Sequence, residues 1–259
     1  MLVCFVYRKK CREGKGEKEE ELGFGLLMDD EFEGGIGKKK FSYNELVSTT
    51  SNFVEENKLG QGGFGGVYKG YLRVINSYVA IKRVSRGYAQ GIKEYIFEVR
   101  IIGRLRHRNL VQLIGWCHKK NDLLLIYEFM SNGSLDLYLF NGKSLLTWVV
   151  RYNIAWGLAS APLYLHEEWE QCVLHRDIKS SNVMLDSNFN AKFGDFGPVG
   201  IVDHEKGSQT TALAGTMSYQ TIKQSDIYSF GLVALEIACG RKPINPNAKE
   251  GEIIMLEWV

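Results

Sequence analysis

The sequence predicts an α+β fold over residues 41–259, a small β-rich part followed by a larger helical part. Three observations predict it. Short runs of β-branched and aromatic residues at 67–71 and 78–81, with the turn-forming pair Asn76-Ser77 between them, read as antiparallel strands. Ile92, Tyr95, Ile96, Val99 and Ile102 recur at three- and four-residue spacing and give one apolar helical stripe through 91–105. Ser229 to Cys239 is apolar nearly all round, as a central buried helix should be, and Gly240 with Pro243 stops it.

Before this fold comes a different kind of chain. Residues 1–7 are apolar, and Arg8-Lys9-Lys10 follow at once. A secretory signal has the opposite order, whereas basic residues just after an apolar end mark the cytoplasmic side of a stop-transfer segment. Seven residues rise only about 10 Å as a helix, so 1–7 reads as the remnant of a membrane helix, with a disordered start as the alternative. Residues 8–40 carry many glycines and charges of both signs and read as a juxtamembrane linker. Cys4 and Cys11 flank the basic cluster and are candidates for palmitate, or else two unmodified thiols.

Composition excludes several classes. The 259 residues are 45% apolar and 24% charged, within the globular range. Thirty-two basic against 30 acidic residues leave +2, too little for a nucleic-acid-binding surface. Five cysteines without a CxxC pair argue against a disulfide framework or a structural zinc site.

The chemistry lies in three motifs. The first is GxGxxGxV in Leu59-Gly60-Gln61-Gly62-Gly63-Phe64-Gly65-Gly66-Val67, where glycines let the backbone approach phosphates. Strands rather than a helix follow it, which excludes the dinucleotide-binding version and leaves a glycine-tipped hairpin. Val79-Ala80-Ile81-Lys82 then supplies a lysine beside that loop, and Glu98, next to the apolar stripe, is its expected partner, with Glu94 one turn earlier as the alternative. The second motif, His175-Arg176-Asp177-Ile178-Lys179-Ser180-Ser181-Asn182, fits H-R-D-x-x-x-x-N, and the third is Asp195-Phe196-Gly197. In phosphoryl transfer Asp177 accepts the proton of a substrate hydroxyl, Lys179 steadies the charge of the transferred phosphate, and Asn182 and Asp195 hold Mg²⁺ against the phosphates. His175 reads as a structural residue of the loop.

These motifs, in this order, resemble the eukaryotic protein-kinase domain. Stretches such as LRHRNLVQLIGWCH (105–118), LLLIYEFMSNGSLD (123–136), YLHEEWEQCVLHRDIK (164–179) and SNVMLDSNFNAK (181–192) are similar to plant L-type lectin-domain receptor-like kinases. The resemblance implies a two-lobed kinase fold, with a β-rich N-lobe over about 53–130 and a helical, incomplete C-lobe over about 131–259. ATP is expected in the cleft, against the 59–67 loop, Ala80, Lys82 and the backbone of Glu128 to Met130, with Tyr127 at the rear. Serine/threonine specificity is suggested by Lys179 and by Gly215-Thr216, and Thr210, Thr211 and Thr216 are candidate phosphorylation sites. Expected partners are a protein substrate and, in an alternative reading as a nucleotide-binding pseudokinase-like fragment, full-length receptor kinases. A third alternative is a truncated product that does not fold. The family resemblance places such a domain on the cytoplasmic side of the plasma membrane, or in the cytosol for a chain without a complete membrane helix.

The sequence also departs from the family. Gly215-Thr216 runs through Tyr219 straight into Ser225-Asp226, without the A-P-E motif and roughly ten further residues. Pro198 and Val199-Gly200 replace the usual residues after the D-F-G motif. Pro162 interrupts an otherwise helical stretch from about 148 to 167, where a proline costs about 3 kcal/mol unless a kink accommodates it. Asp226 resembles the family residue that braces the catalytic loop. The chain ends at Val259, before helices that cover the central one in the family, so exposed apolar area is expected on the C-lobe.

Overall fold

The computed structural model describes residues 38–62, 65–85, 89–119, 122–196, 200–202 and 219–244. It divides into two compact units, Met1–Arg104 with Leu113–Tyr127, and Leu105–Gln112 with Glu128–Val259.

The first unit is built on a six-stranded sheet, in the order β1-β5-β6-β4-β3-β2, of β1 (Lys39–Lys40), β2 (Lys58–Gly62), β3 (Gly65–Leu72), β4 (Ser77–Ser85), β5 (Leu113–Lys119) and β6 (Asp122–Glu128). Side chains alternate across a strand, and β6 shows the result. Leu123 and Leu125 enter a core with Val84, Tyr95, Val99 and Trp116, while Leu124 and Ile126 enter another with Phe41, Leu46, Phe53 and Val79. Helix α1 (Tyr43–Thr49) supplies Leu46 to the second core, and the Ser42 side chain caps it by accepting from Glu45 N at 3.2 Å. Helix α2 (Ala89–Phe97) supplies Tyr95 to the first core.

Three local readings change. The glycine tip joins β2 to β3, not β3 to β4; the latter pair is joined by a tight helical turn, Arg73–Ile75, closed by Asn76 at φ +51°. The stripe through 91–105 is not one α-helix, since α2 widens into a π turn at Glu98–Ile102. Lys39 and Lys40, within the expected linker, form an edge strand parallel to β5.

In the second unit, α3 (Asp136–Leu139) precedes the long α4 (Trp148–Leu163), which Thr147 caps and a π turn at Tyr164–Glu168 continues. Pro162 lies inside α4 and is buried, so the helix accommodates the missing donor and the widened turn follows directly. Two small sheets carry the loops: β7 (Gly133–Ser134), β9 (Val183–Leu185) and β10 (Ala191–Phe193) in one, and β8 (Cys172–Leu174) with β11 (Gly200–Val202) in the other. Helix α5 (Tyr219–Cys239) begins ten residues before Ser229 and ends at Gly240, which has φ +66°. It is less enclosed than its composition suggests, since among its described apolar side chains only Val233 and Ile237 are buried. Apolar area stands exposed on this unit, with Trp148, Val149, Tyr152 and Trp156 on α4 and Ile227 and Tyr228 on α5. No helix among the described residues is long and apolar enough to cross a membrane.

Candidate active site

In the first unit Lys82 stands in β4, paired in register with Val67 of β3. Its Nζ lies 2.9 Å from Glu98 Oε1, and the two side chains are 13% and 1% exposed. A pair this deep is costly to break, because removing either charge leaves the other buried without the ion partner that faces it at 2.9 Å. Glu98 opens the π turn after α2; Glu94, also buried, is one turn earlier. Gly60, Gln61 and Gly62 end β2 exposed, and Gly65, Gly66 and Val67 begin β3. Gly65 has φ +149°, and a Cβ there would lie 1.7 Å from the Arg83 carbonyl oxygen, so only glycine lets β3 leave the loop against β4. Leu59 is exposed, and Val67 and Ala80 are half-buried. Gly63 and Phe64 lie outside the described residues.

In the second unit the loop after β8 places Asp177 between two donors. Lys179 Nζ is 2.7 Å and Asn182 Nδ2 is 2.9 Å from Asp177 Oδ2, and Asn182 Nδ2 also donates to the Asp177 carbonyl at 2.9 Å. With its amide nitrogen spent on Asp177, Asn182 offers its side-chain oxygen to a ligand. Asp195 is exposed at φ +54°, between Gly194, whose N donates to the Asn182 carbonyl at 3.0 Å, and the buried Phe196. One carboxylate and one amide oxygen are the hard donors that suit Mg²⁺, which needs few protein ligands when phosphates complete its shell. Among the described residues no three His, Cys, Asp or Glu side chains gather as a metal site by themselves.

The loop is held from below. Asp226 of α5 accepts from His175 N at 2.8 Å and Arg176 N at 2.7 Å, and His166 Nε2 lies 3.0 Å from it. Burial pushes the Asp226 carboxyl up, but these hydrogen bonds outweigh it and hold its pKa below the ordinary value. Arg176 sits at φ +65°, a strained conformation that the two bonds over-determine. His175 is fully buried, and burial lowers its pKa, so it is neutral. Its Nδ1 accepts from Asp177 N at 3.3 Å and its Nε2 donates to the Gly194 carbonyl at 3.3 Å, linking the Asp177 loop to the Asp195 segment.

Glu128 ends β6, and Met130 lies two residues beyond it. Met130 is buried, and Glu128 turns its carboxylate to Lys192 and to Gln112 N. Neither Lys192 nor Asn109 figures in the sequence motifs. Asn109 donates to the Ala191 carbonyl at 2.8 Å and accepts from Ser160 Oγ at 2.9 Å, which fixes β10 to α4. Both lie inside stretches that resemble the receptor kinases, and that was the only sequence signal for them. Gly197, Pro198, Val199, Thr210, Thr211, Gly215 and Thr216 lie outside the described residues, as do Cys4 and Cys11.

Residues 53–257 match the protein kinase domain model. The chain belongs to the protein kinase domain family. This kinase domain is 55% identical over 253 residues to the L-type lectin-domain containing receptor kinase IX.1 of Arabidopsis thaliana, covering 94% of the chain and 38% of that protein. It is 46% identical over 242 residues to the L-type lectin-domain containing receptor kinase SIT2 of Oryza sativa subsp. japonica, covering 90% of the chain and 36% of that protein. The kinase domain thus spans less than two fifths of these relatives. A third, receptor kinase IV.2 of Arabidopsis thaliana, is 44% identical over 269 positions that take in the whole 259-residue chain.

Proposed function

We propose that the chain is the serine/threonine kinase domain of a receptor-like kinase, transferring the γ-phosphate of Mg-ATP to hydroxyls of a protein substrate at the cytoplasmic face of the plasma membrane. The observation that carries the chemistry is the hydrogen-bonded group of Asp177, Lys179 and Asn182. Asp177, oriented through Oδ2 by both neighbours, accepts the proton of the attacking hydroxyl, and Lys179 balances the charge of the phosphate in flight. Lys82, paired with Glu98, positions the nucleotide's phosphates, and the 59–67 glycine loop gives backbone donors to them. Adenine contacts the backbone of Glu128 to Met130. Asn182 and Asp195 hold Mg²⁺, which neutralises phosphate charge when bound. No covalent enzyme intermediate is needed, and Cys117 offers none, since burial raises its thiol to about 11. The receptor assignment and the membrane location rest on the relatives' names.

Phosphoamino-acid analysis tests the specificity. After incubation with Mg-ATP and a mixed Ser/Thr/Tyr peptide library, phosphate is expected on serine and threonine. Phosphate on tyrosine alone would overturn the serine/threonine assignment.

A further inference from the structure

The side chain of Glu128 has a partner that the proposed chemistry does not use. Lys192 Nζ donates to Glu128 Oε1 and Oε2, both at 2.8 Å, and Gln112 N donates to Oε1 at 2.8 Å. Glu128 N returns a bond to the Gln112 carbonyl at 3.1 Å, so Glu128 is held through backbone and side chain together. The Lys192 and Glu128 side chains are 17% and 28% exposed, shielded enough that water does not freely replace either partner.

Lys192 is the middle residue of β10, paired with Met184 of β9. That ladder does not involve Glu128. What the ion pair adds is a cross-link between two segments with separate tasks: the end of β6, whose backbone receives adenine, and β10, which three residues later delivers Asp195. The segment between them is stitched to both. Phe193 N donates to the Asn109 carbonyl and Val111 N to the Phe193 carbonyl, each at 2.8 Å, while the Gln112 side chain donates to the His107 and Leu110 carbonyls at 3.3 and 3.2 Å. Asp195 stands at φ +54°, off any regular strand, so its position depends on where β10 delivers it.

We infer that Lys192 is a positioning residue, which through the Glu128 carboxylate sets the place of Asp195, and so of the metal, relative to the adenine-binding end of β6. This rests on the nucleotide-binding reading given above. It differs from plain stabilisation in what it affects: the metal-bearing form of the nucleotide loses more than the adenine contact does.

The test uses the full chain as wild type, Lys192→Met, Lys192→Arg and Glu128→Gln, titrated with Mg-ATP and, in EDTA, with metal-free ATP, alongside a thermal melt of each. Lys192→Met is expected to weaken Mg-ATP by about fivefold to tenfold, the size of a coupling within one hydrogen-bond network, and metal-free ATP by less than about twofold. Lys192→Arg, which keeps two donors on the carboxylate, restores Mg-ATP binding. Glu128→Gln keeps the acceptor for Gln112 N, reproduces the Mg-ATP loss, and carries the test where Lys192→Met does not fold. Equal binding of Mg-ATP by wild type and both pair-breaking variants would overturn the inference, as would equal loss of both nucleotide forms in step with a lowered melting temperature. A wild type that binds neither form overturns the nucleotide-binding reading and this inference with it, and is told apart by the wild-type titration alone.

Discussion

Asp177 and Lys82 do separable work, and single substitutions divide it. Asp177→Asn leaves a side chain of the same shape that accepts a proton poorly; phosphoryl transfer should fall by two or more orders of magnitude while the Mg-ATP dissociation constant stays within about threefold. Lys82→Met also leaves Glu98 buried without its cation, so nucleotide binding and the stability of the first unit should drop together. Equal loss of Mg-ATP binding in both variants would contradict these roles. A third residue responds to pH. Burial raises the pKa of Glu236, against the hydrogen bond from Ser180 and with help from Asp136. A folded pKa above the unfolded one gives stability that is present at pH below about 4.5 and lost as pH rises through the folded value. Glu236→Gln should therefore raise the melting temperature at pH 7–8, and the gain should vanish toward pH 4.5. A melt series from pH 4.5 to 8 checks this, and a pH-independent difference would contradict it. At this scale Asp177, Asn182 and Asp195 were legible because their spacing is itself the motif. The carboxylate of Glu128 was not, because its partner Lys192 is remote in sequence and no local pattern connects them.

Elements were legible where one face repeats. The stripe of Ile92, Tyr95, Ile96 and Val99 gave the helix, but its widening at Glu98–Ile102 leaves no trace in apolar spacing. Strand β1 was illegible for another reason: two lysines before a phenylalanine read as linker, and the edge they join lies far along the chain on β5. Gly115 makes that edge receptive. A Cβ on it would lie 2.2 Å from the Lys39 carbonyl oxygen and 2.4 Å from the Phe41 ring. Gly115→Val should expel β1 and Phe41 at a cost of about 1–3 kcal/mol, the range for overpacking. Hydrogen exchange would show it as faster exchange at Phe41 and Leu46 with β6 still protected. Unchanged protection at Phe41, whose N donates to the Trp116 carbonyl at 2.9 Å, would contradict the placement of β1.

On the scale of the whole molecule, the α+β class follows from the sequence, because the strand-like runs at 67–71 and 78–81 precede the long helical stretches. Exposure was harder to read. The near-uniform apolar character of Ser229–Cys239 reads as a buried helix, while the family pattern led to the expectation of exposed apolar area on the C-lobe; only Val233 and Ile237 among the helix's described apolar side chains are buried. Trp148, Tyr152 and Trp156, spaced four apart on α4, are 64%, 57% and 65% exposed and share one face. An apolar face of this kind promotes self-association. Replacing all three with glutamine should lower the light-scattering mass at 10 µM toward that of a single chain, with little change in melting temperature; an unchanged mass would show that this face does not drive association.

Phosphate transfer by the wild type against Asp177→Asn tests the account most directly. With Mg-ATP and a serine/threonine peptide, under conditions where both proteins bind nucleotide, the wild type should transfer phosphate and Asp177→Asn should not. Equal transfer by the two, or none by a wild type that binds Mg-ATP, would contradict it.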